Sequence, residues 1–402
     1  MRQHAGSGTE VVDGLRGLAI LLVLAYHTWL FSWYTPPASL FALPLSLDAF
    51  ARTGYLGVDL FFLISGFCLF LPHARARLEG AREITLREFA YRRFIKIVPS
   101  YVVALAATAA VAASLFHAPA DLAWPLANHL LFINNAFTDV FGQHNSVLWS
   151  LAVEVQFYAV FPLLAWAFLR APLVVAGLMV ACAMSYRGVY ARCCLENEVV
   201  MRALPAYLDL FACGMLAAYL FVWLGREHPR VAGQRLWFTL GALALAWAGF
   251  ALIQSANAVQ YLPQGRERWD LAGRTLFGAA AGGLIVASCF AHRWWRRLIA
   301  NPLLLFLALV SYNLYLWHTL VMLWLLQHHI PAASTPLAHD DVHWRPAFIA
   351  LGTLASVASA TALTYFFERP LLGTGKPQPF AFRWSLVSPR LARASARSER
   401  RT

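Results

Sequence analysis

Ten apolar stretches dominate this chain of 402 residues, near 15–31, 57–71, 97–116, 147–169, 171–185, 205–224, 236–254, 271–290, 302–326 and 346–367. A helix needs about 20 apolar residues to cross a bilayer. Inside the hydrocarbon no water satisfies a backbone amide, so a spanning segment must satisfy its own, and a helix does. Ten such stretches exclude a fold built around one aqueous core. Composition agrees, at 60% hydrophobic and 13% charged, against about 25% charged in a soluble domain. The expected fold class is an all-α membrane protein with about ten transmembrane helices. The second and fifth stretches are short and would thin the bilayer or line a cavity. The first holds Tyr26-His27-Thr28 and lacks a small-residue cleavage site, so it reads as a retained span.

The net charge of +12 would suit a nucleic-acid partner, but its placement argues for a membrane instead. With the N-terminus inside and ten crossings, 24 of the 32 Lys and Arg fall on the cytoplasmic side. That bias predicts both termini in the cytoplasm. Residues 1–371 then form the transmembrane domain, and 372–402 form a basic, disordered cytoplasmic tail resting on anionic lipid. There is no internal repeat and no soluble domain of useful size. The six cysteines show no C-x-x-C and no Cys/His ligand spacing, so no metal site is expected.

Polar residues inside the spans are costly in hydrocarbon and default to function. Arg16 and His27 are eleven apart, which returns them to one helix face about 16 Å apart along the axis. Arg16 reads equally as a snorkelling anchor. Asp59 enters the second stretch with no cation adjacent in sequence, and Ser65-Gly66 interrupts the run at mid-depth. Asp59 also suits a helix N-terminal charge, and Gly66 suits close helix packing. Ser150, Glu154 and Tyr158 form one stripe at four-residue spacing. A carboxylate at that depth needs a cation, a proton or hydrogen-bond donors. Ser311, Tyr315 and His318 share a face, with Tyr312 beside them; an interfacial aromatic belt is the plainer reading. Arg92, Arg93 and Lys96 cluster on the cytoplasmic side before Pro99. They suit lipid phosphates, or a multiply phosphorylated cytosolic molecule.

Five motifs carry a resemblance: "DGLRGLA" with the later "YH", then "GVDLFFLISGF", "RRFIKIVP", "LWSLAVEVQFY" and "SYNLYLWH". Together and in this order they resemble the acyltransferase-3 family of integral membrane acyltransferases, which includes O-antigen O-acetylases. The resemblance runs from Asp13 to about Pro370. It implies a ten-helix core in a bacterial inner membrane. No bound cofactor is implied. Acyl-CoA, usually acetyl-CoA, serves as cytoplasmic co-substrate, and a hydroxyl of a cell-surface or lipid-linked saccharide is the acceptor. The family's Arg-x10-His falls on Arg16 and His27, its basic loop on Arg92, Arg93 and Lys96, its acidic helix on Glu154, and its last motif on Ser311, Tyr312, Tyr315 and His318. His27, Glu154 and His318 are then the expected catalytic residues, and Arg16, Arg92, Arg93 and Lys96 the donor-binding ones. Asp59, Ser65, Ser150, Ser311, Tyr312 and Tyr315 are expected to support them.

Chemistry fits those roles. Acyl transfer from a thioester needs a base or an intermediate nucleophile, and stabilisation of the oxyanion. His27 can be base or acyl carrier, and Glu154 can orient His27 or His318. Some relatives carry a fused extracytoplasmic domain after the last span. With only about thirty polar residues there, transfer is expected to finish within the membrane core, or to hand the acyl group to a separate extracytoplasmic protein. Two alternatives remain: an acyltransferase acting on a small-molecule glycoside, and a non-catalytic transporter of lipid-linked sugars. The transporter would more often show a repeat. A lipid-linked-sugar glycosyltransferase would want acidic residues in the first outer loop, where only Asp48 stands.

Overall fold

A computed structural model describes residues 8–34, 47–115, 123–137, 145–193 and 201–373. Ten helices in it are long and apolar enough to cross a membrane. They are α1 (Glu10–Ser32), α2 (Leu56–Glu79), α3 (Leu86–Val111), α4 (Leu148–Phe168), α5 (Pro172–Val189), α6 (Leu204–Glu227), α7 (Arg235–Val259), α8 (Gly265–Phe290), α9 (Pro302–Gln327) and α10 (Trp344–Leu371). No strand occurs among the described residues. The all-α, ten-span architecture is therefore as expected. The basic tail lies outside the described residues from 374 onward, and the 117–145 connection is described only at 123–137 and 145.

Local chemistry sets the helix ends. Pro302 starts α9 without needing a donor, and the Asn301 side chain accepts from the Leu304 amide at 3.0 Å. Asp341 does the same for α10. It accepts from the amides of Ser334 (2.8 Å), His343 (2.8 Å) and Trp344 (3.2 Å) and from the Ser334 hydroxyl (2.6 Å). Those bonds hold its carboxyl well below the usual carboxylate range. The second span outruns the expected 57–71 because the polar "LPHARARLE" continues the helix to Gly80, where a φ of +70° ends it.

Helices α1, α2, α6, α8 and α9 form the interior. The tightest crossing is α2 on α6. A Cβ on Gly66 would lie 2.4 Å from the Phe211 carbonyl oxygen, and one on Gly214 would lie 1.9 Å from that of Leu63. Only glycine fits there, as small-residue packing in membranes requires. Helices α5 and α7 are peripheral. They turn Leu173, Val174, Leu178, Trp237, Leu240 and Trp247 outward, the apolar face that lipid requires.

Two buried ion pairs tie the bundle. Arg187 of α5 donates to both carboxylate oxygens of Asp209 on α6, at 3.1 and 2.8 Å. It also donates to the Ala206 carbonyl at 2.7 Å and to Thr275 Oγ1 of α8 at 2.8 Å. Thr275 donates in turn to Asp209 at 2.6 Å. Both members of this pair are fully buried. Arg274 of α8 lies 3.1 Å from Asp59 of α2 and over the Tyr207 ring at 5.1 Å. Here the sequence reading needs correction. Its outer count of eight includes Arg187 and Arg274, although the stretch 271–290 already held Arg274; both stand inside helices, held by carboxylates from other spans. Asp59 has its cation too, 215 residues along the chain.

Candidate active site

Ten of the residues singled out in the sequence line one cavity between α1, α2, α3, α4 and α9: Arg16, Ser65, Arg93, Lys96, Ser150, Glu154, Tyr158, Ser311, Tyr312 and Tyr315. The space open to a water-sized sphere is about 140 Å³. One water needs roughly 10–15 Å³ on that measure, so the cavity admits a substrate group rather than lone solvent. Its apolar wall includes Val58, Phe61 and Phe62.

One end is cationic. Arg16 donates to Asp13 at 2.9 Å and to the Cys68 sulfur at 3.3 Å. Arg93 covers the faces of Phe89 and Tyr158, at 5.9 and 5.6 Å. Lys96 pairs with Glu368 of α10 and lies over Tyr312 at 5.2 Å. Glu368 also accepts from Asn313 at 2.7 Å, and it sits in a π-helical turn, Thr364–Glu368, of the kind that re-aims a side chain. Arg92 behaves differently: it pairs with Glu88, is half-buried, and does not line the cavity.

Glu154 occupies the middle. It accepts from Ser65 at 2.8 Å and from Tyr158. Both donors are hydroxyls, and neither histidine bonds to this carboxylate. Toward the far end Ser150 and Tyr315 hydrogen-bond at 2.5 Å. Both also contact the Val147 carbonyl, at 3.0 and 3.1 Å.

Beyond Tyr315 stand His27 and His318, outside the cavity lining. Their rings meet edge to face, with centroids 4.6 Å apart. Each Nδ1 lies 2.9 Å from the carbonyl four residues back, Val23 for His27 and Leu314 for His318. A carbonyl only accepts, so each Nδ1 carries the proton and each Nε2 of a neutral ring is left as an acceptor. The Nε2 of His318 is buried and has no hydrogen-bond partner. Asn145 fixes the backbone around it. It accepts from Thr319 at 2.9 Å and donates to the Leu316 carbonyl at 3.3 Å and to Thr108 at 3.2 Å.

Sequence reading missed Asn145, Glu368, Cys68 and Arg274. Asn145 carried a signal, a polar residue just before an apolar run. Glu368 carried another, a lone carboxylate at the end of the last span. Cys68 and Arg274 are told apart from packing or loop residues only by partners from other helices.

This arrangement brings together cations, a cavity leading away from them, and an unpartnered imidazole nitrogen beyond it. Residues 10–365 match the family described as "Acyltransferase domain". The chain is 26% identical over 329 residues to the peptidoglycan O-acetyltransferase OatA of Listeria monocytogenes, covering 76% of this chain and 48% of that protein. It is 24% identical over 392 residues to a candidate peptidoglycan O-acetyltransferase of Bacillus subtilis, YrhL, covering 90% and 55%. A candidate O-acetyltransferase of Staphylococcus aureus is 24% identical over 346 residues, covering 77% and 50%. The chain thus spans about half the length of these relatives. No solved structure matches it.

Proposed function

The chain belongs to the acyltransferase family, and from that premise we propose that it moves an acyl group, acetyl first of all, from cytoplasmic acyl-CoA to a hydroxyl of a cell-surface or lipid-linked saccharide. The carrying observation is the single cavity that joins Arg16, Arg93 and Lys96 at one end to Tyr315 at the other, with His318 on the next helical turn. Arg93 and Lys96 take the donor's phosphates, and Arg16 takes its thioester end. His318 or His27 removes the proton of the attacking hydroxyl, a role that contributes about 10²–10⁴-fold to rate. The names of the relatives make a peptidoglycan hydroxyl the first acceptor to try.

We assign the cationic end to the cytoplasm in a bacterial inner membrane. The asymmetry of Lys and Arg supports this: 24 cations on the inner side oppose eight on the outer. The test is direct. Purified protein should bind acetyl-CoA and move radiolabelled acetyl to peptidoglycan fragments. Absence of both binding and transfer would overturn the reading.

A further inference from the structure

The proposed transfer separates donor and acceptor across a membrane, and this raises a question of proton balance. The acceptor oxygen forms a C–O bond to the acyl carbon, and the C–S bond of the thioester breaks. The hydroxyl proton is left at the outer end, and the CoA sulfur needs a proton at the inner end. If each side exchanges with its own bulk phase, one positive charge has moved outward with every acyl group. Against an inside-negative potential that shifts the equilibrium about fifty-fold per 100 mV, a conversion of about 2.3 kcal/mol per charge. If the proton returns through the protein, the overall transfer carries no net charge.

The cavity is built for the second course. His318 Nε2, buried and unpartnered, can take the hydroxyl proton. One turn along α9 stands Tyr315, with ring centroids 6.0 Å apart. Tyr315 and Ser150 share a 2.5 Å hydrogen bond in which either can be the donor, and both reach the Val147 carbonyl. Two hydroxyl protons therefore have two complete arrangements. Tyr315 donates to Val147 while Ser150 donates to Tyr315, or Ser150 donates to Val147 while Tyr315 donates to Ser150. No acceptor is lost in either, which is what a hydroxyl relay needs to flip. One turn along α4 from Ser150 is Glu154, held by Ser65 and Tyr158. All of these side chains except His318 line the same cavity, whose volume holds several waters to bridge the carboxylate to the hydroxyl pair.

We propose that Tyr315 and Ser150, with Glu154 behind them, return the acceptor's proton to the donor side, so that each acyl transfer is electroneutral. This rests on the donor and acceptor reading above. A merely structural Tyr315–Ser150 contact would leave the charge balance of the reaction untouched.

The test uses the full chain in proteoliposomes, with acetyl-CoA and a pH dye trapped in the lumen and peptidoglycan disaccharide-peptide fragments outside. Only molecules with the donor face inward then work. The wild type should take up no lumenal proton per acetyl transferred, and a potassium diffusion potential, negative inside, should leave its rate unchanged within about twofold. Tyr315→Phe, which keeps the ring, and Ser150→Ala should each move the stoichiometry toward one proton per acetyl, with transfer slowed several-fold by the potential. A wild type that consumes one lumenal proton per acetyl overturns the relay while leaving the transferase reading intact. Variants that still show zero place the path elsewhere and also overturn it. A wild type that acetylates nothing outside sinks the transferase reading and the relay with it. The wild-type stoichiometry decides even if the variants fold poorly.

Discussion

His27 of the first span and His318 of the ninth meet edge to face, with ring centroids 4.6 Å apart. Both bind their own helix through Nδ1, so both aim the other ring nitrogen away from the backbone that fixes it. Residues that act as one unit are not additive. His318→Ala and His27→Ala should each lower turnover by about two to four orders of magnitude while leaving CoA binding nearly intact. The double variant should be no more than about tenfold worse than the poorer single one. Steady-state transfer with purified protein checks this. Additive losses would mean that the two rings serve separate steps.

The cationic end of the cavity divides the basic cluster. Arg93 and Lys96 line the cavity, whereas Arg92 pairs with Glu88 away from it. Charged hydrogen bonds contribute about 1.5–3 kcal/mol each, so Arg93→Ala with Lys96→Ala should weaken CoA binding well over tenfold. Arg92→Ala loses a partly exposed pair, the kind that contributes about 0–1 kcal/mol, and should change affinity less than about fivefold. Calorimetric titration with CoA separates them. Equal losses at all three positions would restore the cluster to a single phosphate site outside the cavity.

How much of this was legible depends on whether a feature is local. Hydropathy reports length along one helix, and ten spans were readable from it. Helical periodicity placed Ser150 with Glu154, and Tyr315 with His318, on shared faces, because those pairs lie within two turns. What the sequence hides is which helices adjoin. Asp59 finds Arg274, Lys96 finds Glu368, and Asn145 finds Thr319, each across more than 170 positions. Arg187 shows the cost of that blindness: with no acid near it in sequence it resembles a loop cation, and only Asp209 and Thr275 from neighbouring helices keep it inside.

That pair should control stability more than activity. Arg187 and Asp209 are both fully buried; besides each other they bond Ala206, Leu271, Leu210 and Thr275, with Thr275 common to both. Removing one leaves the other charged without its counterion, at a cost of about 3–5 kcal/mol. Arg187→Met and Asp209→Leu should each lower the thermal midpoint in detergent sharply. The double variant, which removes both charges, should recover much of that loss. Intrinsic-fluorescence melts give the readout, and a double variant no better than the singles would show that the network is needed beyond mutual neutralisation.

Topology decides which end of the cavity meets which substrate. The asymmetry of 24 cations against eight predicts that the α2–α3 connection faces the cytoplasm and the α9–α10 connection faces outward. Single cysteines at Arg82, exposed, and Thr335, partly exposed, can be placed in a background where the six native cysteines are replaced. Membrane-impermeant maleimide on intact cells should label the Thr335→Cys protein at once and the Arg82→Cys protein only after the membrane is opened. The reverse pattern would turn Arg16, Arg93 and Lys96 outward, away from any cytoplasmic acyl-CoA. The His27–His318 pair would then face the cytoplasm, and the acceptor would have to be sought there.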